Sequence, residues 1–314
     1  MKRIIVLLLS ALMVLSVLSG CDNKKNNNDN KLKVVTTIFP IYDWVREVLG
    51  DVDADVEVLL NNGVDLHSYQ PTVDDIAKIN NADVFMYVGG ESDGWVESVL
   101  ESNKNVRVVN LLEVLGDSVK LEEELEGVEH DHEHDHEDEE EYDEHVWLSL
   151  RNAKKCVEAI KEVLCQLDSS NQEIYESNAE EYIEKLEMLD AKYEDVVDKS
   201  KNYTLVFGDR FPFRYLVDDY NLNYYAAFVG CSTEGEASFK TITFLAKKLD
   251  DLGLTSILTI EGNNHKIAET IVKNTENKNQ EILTLNSMQG SILEGDTYLS
   301  IMENNLEVLK KALN

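Results

Sequence analysis

The sequence predicts an α/β protein of two lobes, each with a mainly parallel β-sheet flanked by helices, joined by a long linking helix. Three observations lead there. Short β-branched apolar runs alternate with helical spacing through the first part of the chain and again through the last, the pattern of strands buried on both faces beneath crossover helices. Between these halves, residues 171 to 199 run without proline or glycine. The chain of 314 residues is also long enough to build two cores.

The N-terminus comes first. Lys2 and Arg3 precede a nearly unbroken apolar run that ends in "LSGC" at 18–21, the pattern of an export signal removed on maturation. A cysteine at the first mature position can be acylated, and two chains on one residue anchor stably where one is marginal. "DNKKNNNDNK", 22–31, has no apolar residue and cannot bury enough surface to fold. These features predict a signal peptide at 1–20, a lipid-anchored flexible tether at 21–31 beginning at Cys21, and a protein working outside the cytoplasmic membrane. No later apolar stretch approaches the length that crosses a bilayer.

A first lobe is expected over 32–168. "KVVTTIFPIYDWVREVLG" starts as a strand, breaks at Pro40 and continues with helical spacing. "VEVLL" (56–60), "ADVFMYVG" (82–89) and "VRVVNLL" (106–112) read as strands, "TVDDIAKINNA" as a helix between the first two, and Leu148 to Leu167 as another helix. In the linking segment, 169–200, Ile174, Tyr182, Leu186, Leu189, Tyr193 and Val197 recur at separations near three and four and form one apolar stripe. A helix of that length spans about 40 Å, enough to run along both lobes.

The second lobe, 201–314, repeats the rhythm. "YTLVFGD", "YYAAFVG", "TSILTI" and "EILTL" are its strands; "FPFRYLVDDY", "ASFKTITFLAKKLDDLG", "HKIAETIVKNT" and a segment from about Thr297 are its helices. Polar loops follow the strands: "GDR", "GCSTEGE", "EGNNH" and "NSMQG". Ligands of open α/β sheets bind beyond the carboxyl ends of the strands, so these loops should line a cleft.

Charge narrows the function. With 61 acidic and 29 basic residues the net charge is -32, and loss of Lys2 and Arg3 takes it to -34. Such a surface repels nucleic acid and attracts cations. Three cysteines remain after Cys21, namely Cys156, Cys165 and Cys231, without zinc-motif spacing. Cys156 and Cys165 fall nine residues apart on one predicted helix, too far to bridge if it is continuous, and read as small apolar packers.

The seven histidines are His67, His130, His132, His134, His136, His145 and His265. Residues 121–145 carry 15 acids and no lysine or arginine, which predicts a disordered His/acid-rich loop at 121–144. Its four alternating imidazoles can collect metal transiently, or the tract can be a solubilising spacer. His67 stands just past a strand in "NNGVDLHSYQPT" and His145 just before "VWLSL". Both border elements able to fix their geometry, and imidazole suits zinc while manganese accepts more carboxylate. Taken alone, His67 could instead cap a helix or lie on the surface, and His145 could simply close the tract. Imidazole ligands must be neutral, so affinity should fall toward acid pH.

The chain resembles the metal-binding components of bacterial zinc and manganese ABC importers, the cluster A-I solute-binding proteins. The likeness runs from "VVTTIFPIYDWVREVLG" through "GVDLHSYQPTVDDIAKINNADVFMYVG", "DEHVWLSLRNAKK" and "GDRFPFRYLVDDY" to "GDTYLSIMENNLEVLKKAL". "HDHEHDH" is typical of zinc-type members, and "LSGC" resembles the lipobox of bacterial lipoproteins. The resemblance implies two lobes on a rigid spine helix, a monomer capturing Zn2+ (Mn2+ being possible) between them, delivery to an ABC permease, and no catalysis.

By the same resemblance His67 and His145 match the first two metal ligands. Gly208, in Phe207-Gly208-Asp209, stands where zinc-type members carry a third histidine. Glu234 matches a glutamate ligand of manganese-type members, with Glu236 close by, and Asn286 stands at their final aspartate. His265, Glu261 and Asp209 are further candidates on strand-end loops. Two other functions fit the same residues: a zinc-dependent metallohydrolase, which would need an open coordination position and a general base but shows no HExxH-type pair, and a metal-buffering or adhesion lipoprotein without a permease.

Overall fold

The computed structural model describes residues 31–60, 63–102, 104–123, 125–127, 141–230, 236–262, 264–289 and 295–314. The expected signal peptide, Cys21 and the tether through residue 30, the four histidines of the acidic tract, Cys231 and Glu234 lie outside the described residues.

In the first lobe β1 (Leu32–Thr36), α1 (Phe39–Leu49), β2 (Ala54–Val58), α2 (Val73–Asn80), β3 (Val84–Tyr87), α3 (Trp95–Ser102), β4 (Arg107–Asn110) and the short α4 (Leu111–Leu115) follow in turn. The strands form a parallel sheet in the order β2-β1-β3-β4. Local chemistry sets the boundaries. Pro40 sits in the first turn of α1, where its missing N–H leaves no helical bond unmade. Thr72 and Asp75 form a reciprocal capping box at the start of α2. Asn110 ends β4 and caps α4 by accepting the Glu113 N–H.

Helices α5 (Leu150–Leu167) and α6 (Gln172–Asp198) lead to the second lobe. There β5 (Thr204–Phe211), α7 (Arg214–Asp219), β6 (Asn223–Val229), α8 (Phe239–Asp251), β7 (Ser256–Ile260), α9 (Lys266–Asn274) and β8 (Glu281–Leu285) precede the closing α10 (Tyr298–Ala312). This sheet is also parallel, in the order β6-β5-β7-β8. Both sheets thus reverse direction of winding beside their first strand, the place where open α/β sheets form a ligand crevice. Two lobes, two parallel sheets and a long linking helix are what the periodicity predicts.

Two local features differ from that prediction. Ile174 is 44% exposed, and Tyr175 takes its place in the buried stripe of α6. Tyr175 lies seven residues, close to two whole turns, before Tyr182, whereas a residue eight before points about 80° away. Its hydroxyl also donates to Asp168. In β5 the strand continues two residues past Asp209, leaving α7 only Arg214–Asp219. The register slips between Phe207 and Arg210, and the Asp209 carboxylate accepts the backbone N–H groups of Arg210 and Ile260 across the slip. That side chain supplies bonds the regular ladder lacks.

The linking helix binds to both halves. Asn178 donates to the carbonyl of Val48 at the end of α1, and the Tyr193 hydroxyl donates to that of Met302 in α10. One continuous apolar cluster includes Val34 and Trp44 of the first lobe and Phe207, Leu258 and Tyr298 of the second. Trp44 and Tyr298 meet edge-to-face at 5.1 Å, and Asp43 accepts the Tyr298 N–H. Burying such an aromatic contributes about 2–3 kcal/mol, so wide separation of the lobes would expose strongly stabilising surface. Cys156 and Cys165 are free thiols on α5, and burial pushes the Cys156 thiol up to about 12. Among the described residues no helix is long and apolar enough to cross a membrane.

Candidate metal centre

His67 is set by its own turn. Beyond β2 the Asp65 carboxylate accepts the His67 N–H at 3.0 Å and starts a single 3-10 turn, Leu66–Ser68, whose Leu66 is buried as an anchor. The ring is thereby held at the carboxyl end of the first sheet.

His145 is held more tightly. Leu121 and Tyr142 pair antiparallel, and the Asp143 N–H donates to the Lys120 carbonyl, so the two ends of the acidic tract are closed together. The Tyr215 hydroxyl of α7 donates to the Asp143 carbonyl and accepts from the Lys120 N–H, clipping both ends at once. Residues 143 to 148 are all buried. Trp147 donates from its indole to the Ser287 carbonyl and the Tyr298 hydroxyl donates to the Trp147 carbonyl, fixing the 3-10 turn Val146–Leu148 to the second lobe.

These two scaffolds bring the rings together. The Nε2 atoms of His67 and His145 stand 3.2 Å apart. On the far side of each ring, Nδ1 is occupied. That of His145 faces Asp143 Oδ1 at 2.9 Å; that of His67 meets the Ser92 hydroxyl at 2.8 Å, with Glu144 Oε2 at 3.8 Å. A carboxylate only accepts, so His145 carries its proton on Nδ1 and presents a lone pair at Nε2. Two imidazole nitrogens on a tetrahedral zinc ion, each about 2.0–2.1 Å from it, would lie about 3.3–3.4 Å apart. The separation seen here is close to that edge, so the pair fits a cation seated between them.

Electrostatics agree. Burial, and then the neighbouring His145, push His67 down to about 4, which keeps its ring neutral and able to bind metal. Glu144 is buried; one oxygen accepts the Ser92 N–H, and Oε2 has no hydrogen-bond partner. Burial raises its pKa. Asp143 therefore holds the outer nitrogen of His145 directly, while Glu144 acts behind His67 through Ser92, whose backbone N–H it accepts and whose hydroxyl meets the ring. Sequence reasoning missed both because they end a long acid run; the signal was their place between Tyr142 and the apolar "VWL", which folding buries.

The other candidates fall as follows. A side chain at Gly208 would put its Cβ 2.6 Å from Ala268 Cα, so position 208 faces α9. Two residues on, Arg210 reaches the His67 loop and its Nη1 lies 2.8 Å from Asp65 Oδ2, a residue that motif reading overlooked. Asp209 is engaged with the backbone as described. Glu261 accepts from the Ser287 N–H, the Ser287 hydroxyl and the Gln289 N–H, so it shapes the 286–289 loop. Asn286 uses its side-chain oxygen on the Met288 N–H. His265 stands at the N-cap position of α9 without a side-chain capping bond, and its Nδ1 is buried without a hydrogen-bond partner. Gly230, the last described residue before the loop carrying Glu234, abuts His145; a Cβ there would lie 3.0 Å from its Cε1. Among the described residues no group of three His, Cys, Asp or Glu side chains converges on one point.

Comparison with known proteins identifies the family. The profile described as zinc-uptake complex component A, periplasmic (ZnuA), matches residues 34–312. The chain is 33% identical over 314 residues to the zinc-binding lipoprotein AdcA of Streptococcus pneumoniae, covering 99% of this chain and 61% of that protein. It thus spans about three fifths of the length of AdcA. Against the high-affinity zinc uptake system protein ZnuA of Bacillus subtilis identity is 32% over 313 residues, covering 97% of this chain and 96% of that one. A Zn(II)-bound mutant variant of AdcAII from Streptococcus pneumoniae superposes with a TM-score of 0.75 at 31% identity, over 91% of this chain and 100% of that one. With the profile covering both sheets and the linking helix, the chain belongs to the ZnuA family of zinc-uptake components.

Proposed function

We propose that this chain is the extracytoplasmic solute-binding component of an ABC-type importer, capturing Zn2+ between its lobes and handing it to a membrane permease. The observation that carries the reading is the pair of Nε2 atoms 3.2 Å apart, each ring held from behind by a hydrogen-bond partner. His67 and His145 are the first two ligands. Glu234, four residues beyond the Gly230 that abuts His145, is the third ligand of this reading, and His265, whose buried Nδ1 lacks a partner but which does not converge with His67 and His145 here, joins as the fourth on a shift of its loop. Two imidazoles favour zinc over manganese, which prefers oxygen donors. The lipid-modified Cys21 holds the domain near the permease as a monomer, and the family is one of binding proteins without catalysis.

Zinc affinity measured in competition with a chromophoric chelator tests the reading. His67→Ala should lose more than about a hundredfold, beyond the loss expected from disturbing an outer partner. Anomalous scattering at the zinc and manganese edges should place zinc against positions 67 and 145. An unchanged affinity in His67→Ala, or an ion bound elsewhere, would sink the assignment.

A further inference from the structure

Arg210 brings a fixed positive charge from the second lobe to the loop of His67. Past the register slip at Asp209 its Nη1 lies 2.8 Å from Asp65 Oδ2, and the other oxygen of that carboxylate accepts the His67 N–H. One carboxylate therefore separates a permanent cation from a proposed zinc ligand. The two side chains are 21% and 30% exposed, so water screens them only in part. A guanidinium keeps its charge at any working pH. Beside a divalent-cation site it opposes binding, whereas a carboxylate assists it.

We propose that Asp65 and Arg210 form an opposed charge pair that sets the zinc affinity of the cleft, Asp65 raising it and Arg210 lowering it so that the ion can be released. The proposal rests on the zinc reading above. A simple strut between the lobes would behave differently, because removing either end of a strut should weaken binding.

The test measures zinc affinity and dissociation rate for the mature chain and five variants, at low and at high salt. Arg210→Met should bind zinc about three- to tenfold more tightly and release it more slowly, and Asp65→Asn should bind it more weakly by a similar factor. The double variant should return near the wild-type value. Arg210→Lys, which keeps the charge, should stay within about twofold of wild type. All differences should shrink as salt rises. If Arg210→Met and Asp65→Asn shift affinity in the same direction, the charge pair is overturned. Wild-type binding abolished by His67→Ala but indifferent to Arg210→Met overturns the charge pair alone, while a wild type that binds no zinc overturns the site reading with it.

Discussion

Asp143 takes two hydrogen bonds from one residue, accepting the His145 backbone N–H at 2.8 Å and the ring Nδ1–H at 2.9 Å. Backbone and ring are thus oriented by the same carboxylate, and the proton is kept off Nε2. Asp143→Asn keeps an acceptor but loses the charge and allows the amide to donate to the ring instead. Zinc affinity should fall about 10- to 100-fold, read by chelator competition, with the fold intact by circular dichroism.

Gly230 is close enough to His145 that no side chain fits. A Cβ would sit 2.9 Å from the Phe211 carbonyl oxygen and 3.0 Å from His145 Cε1. Gly230→Ala should cost about 1–3 kcal/mol in chemical denaturation and weaken zinc binding as the ring moves. A variant with wild-type stability and affinity would contradict the contact.

Deleting residues 129–140 should leave the tight site in place. The pairing of Lys120–Glu122 with Glu141–Asp143, and the Tyr215 clip on Asp143, lie outside the deletion. Calorimetry of the deleted chain should retain one tight zinc and lose the weak equivalents contributed by the four alternating histidines. Loss of the tight phase would show instead that the tract itself holds the ion.

The core that unites the lobes predicts a stability effect far from the metal. Trp44→Ala removes the ring that meets Tyr298 at 5.1 Å and should destabilise by about 3–5 kcal/mol. Tyr298→Phe removes the bond to the Trp147 carbonyl and should cost about 1–3 kcal/mol. Urea midpoints of the metal-free protein provide the measurement.

Asp43 gives a pH dependence of definite sign. Burial pushes its carboxyl up to about 6, partly countered by the Tyr298 N–H it accepts. A raised carboxyl pKa means the folded state holds the proton more strongly than the unfolded one, so this contribution is complete below about 4 and is lost as pH rises through about 6. It amounts to roughly 3 kcal/mol by linkage. Across that window Asp43→Asn should flatten the stability profile of the metal-free protein. An unaltered slope would place the titrating group elsewhere.

Local periodicity was sufficient for the two sheets, their helices and the linking helix, because each strand and helix face had to be apolar to be covered and its spacing records which side is covered. His67 and His145 stood out for the same reason, each at the margin of an element that could hold it still. Folding alone decided the rest. Asp143 and Glu144 are indistinguishable in sequence from the acids before them, and only the closure of the tract by Tyr215 and Trp147 turns them inward. Arg210 looked like one more charge after a strand until the slip at Asp209 carried β5 far enough to bring it against Asp65. The contact of Asp65 with Arg210, 145 positions apart, depends on how two lobes are oriented by a shared core, and that of His67 with His145, 78 positions apart within the first lobe, on how the closed tract is buried; no local pattern encodes either.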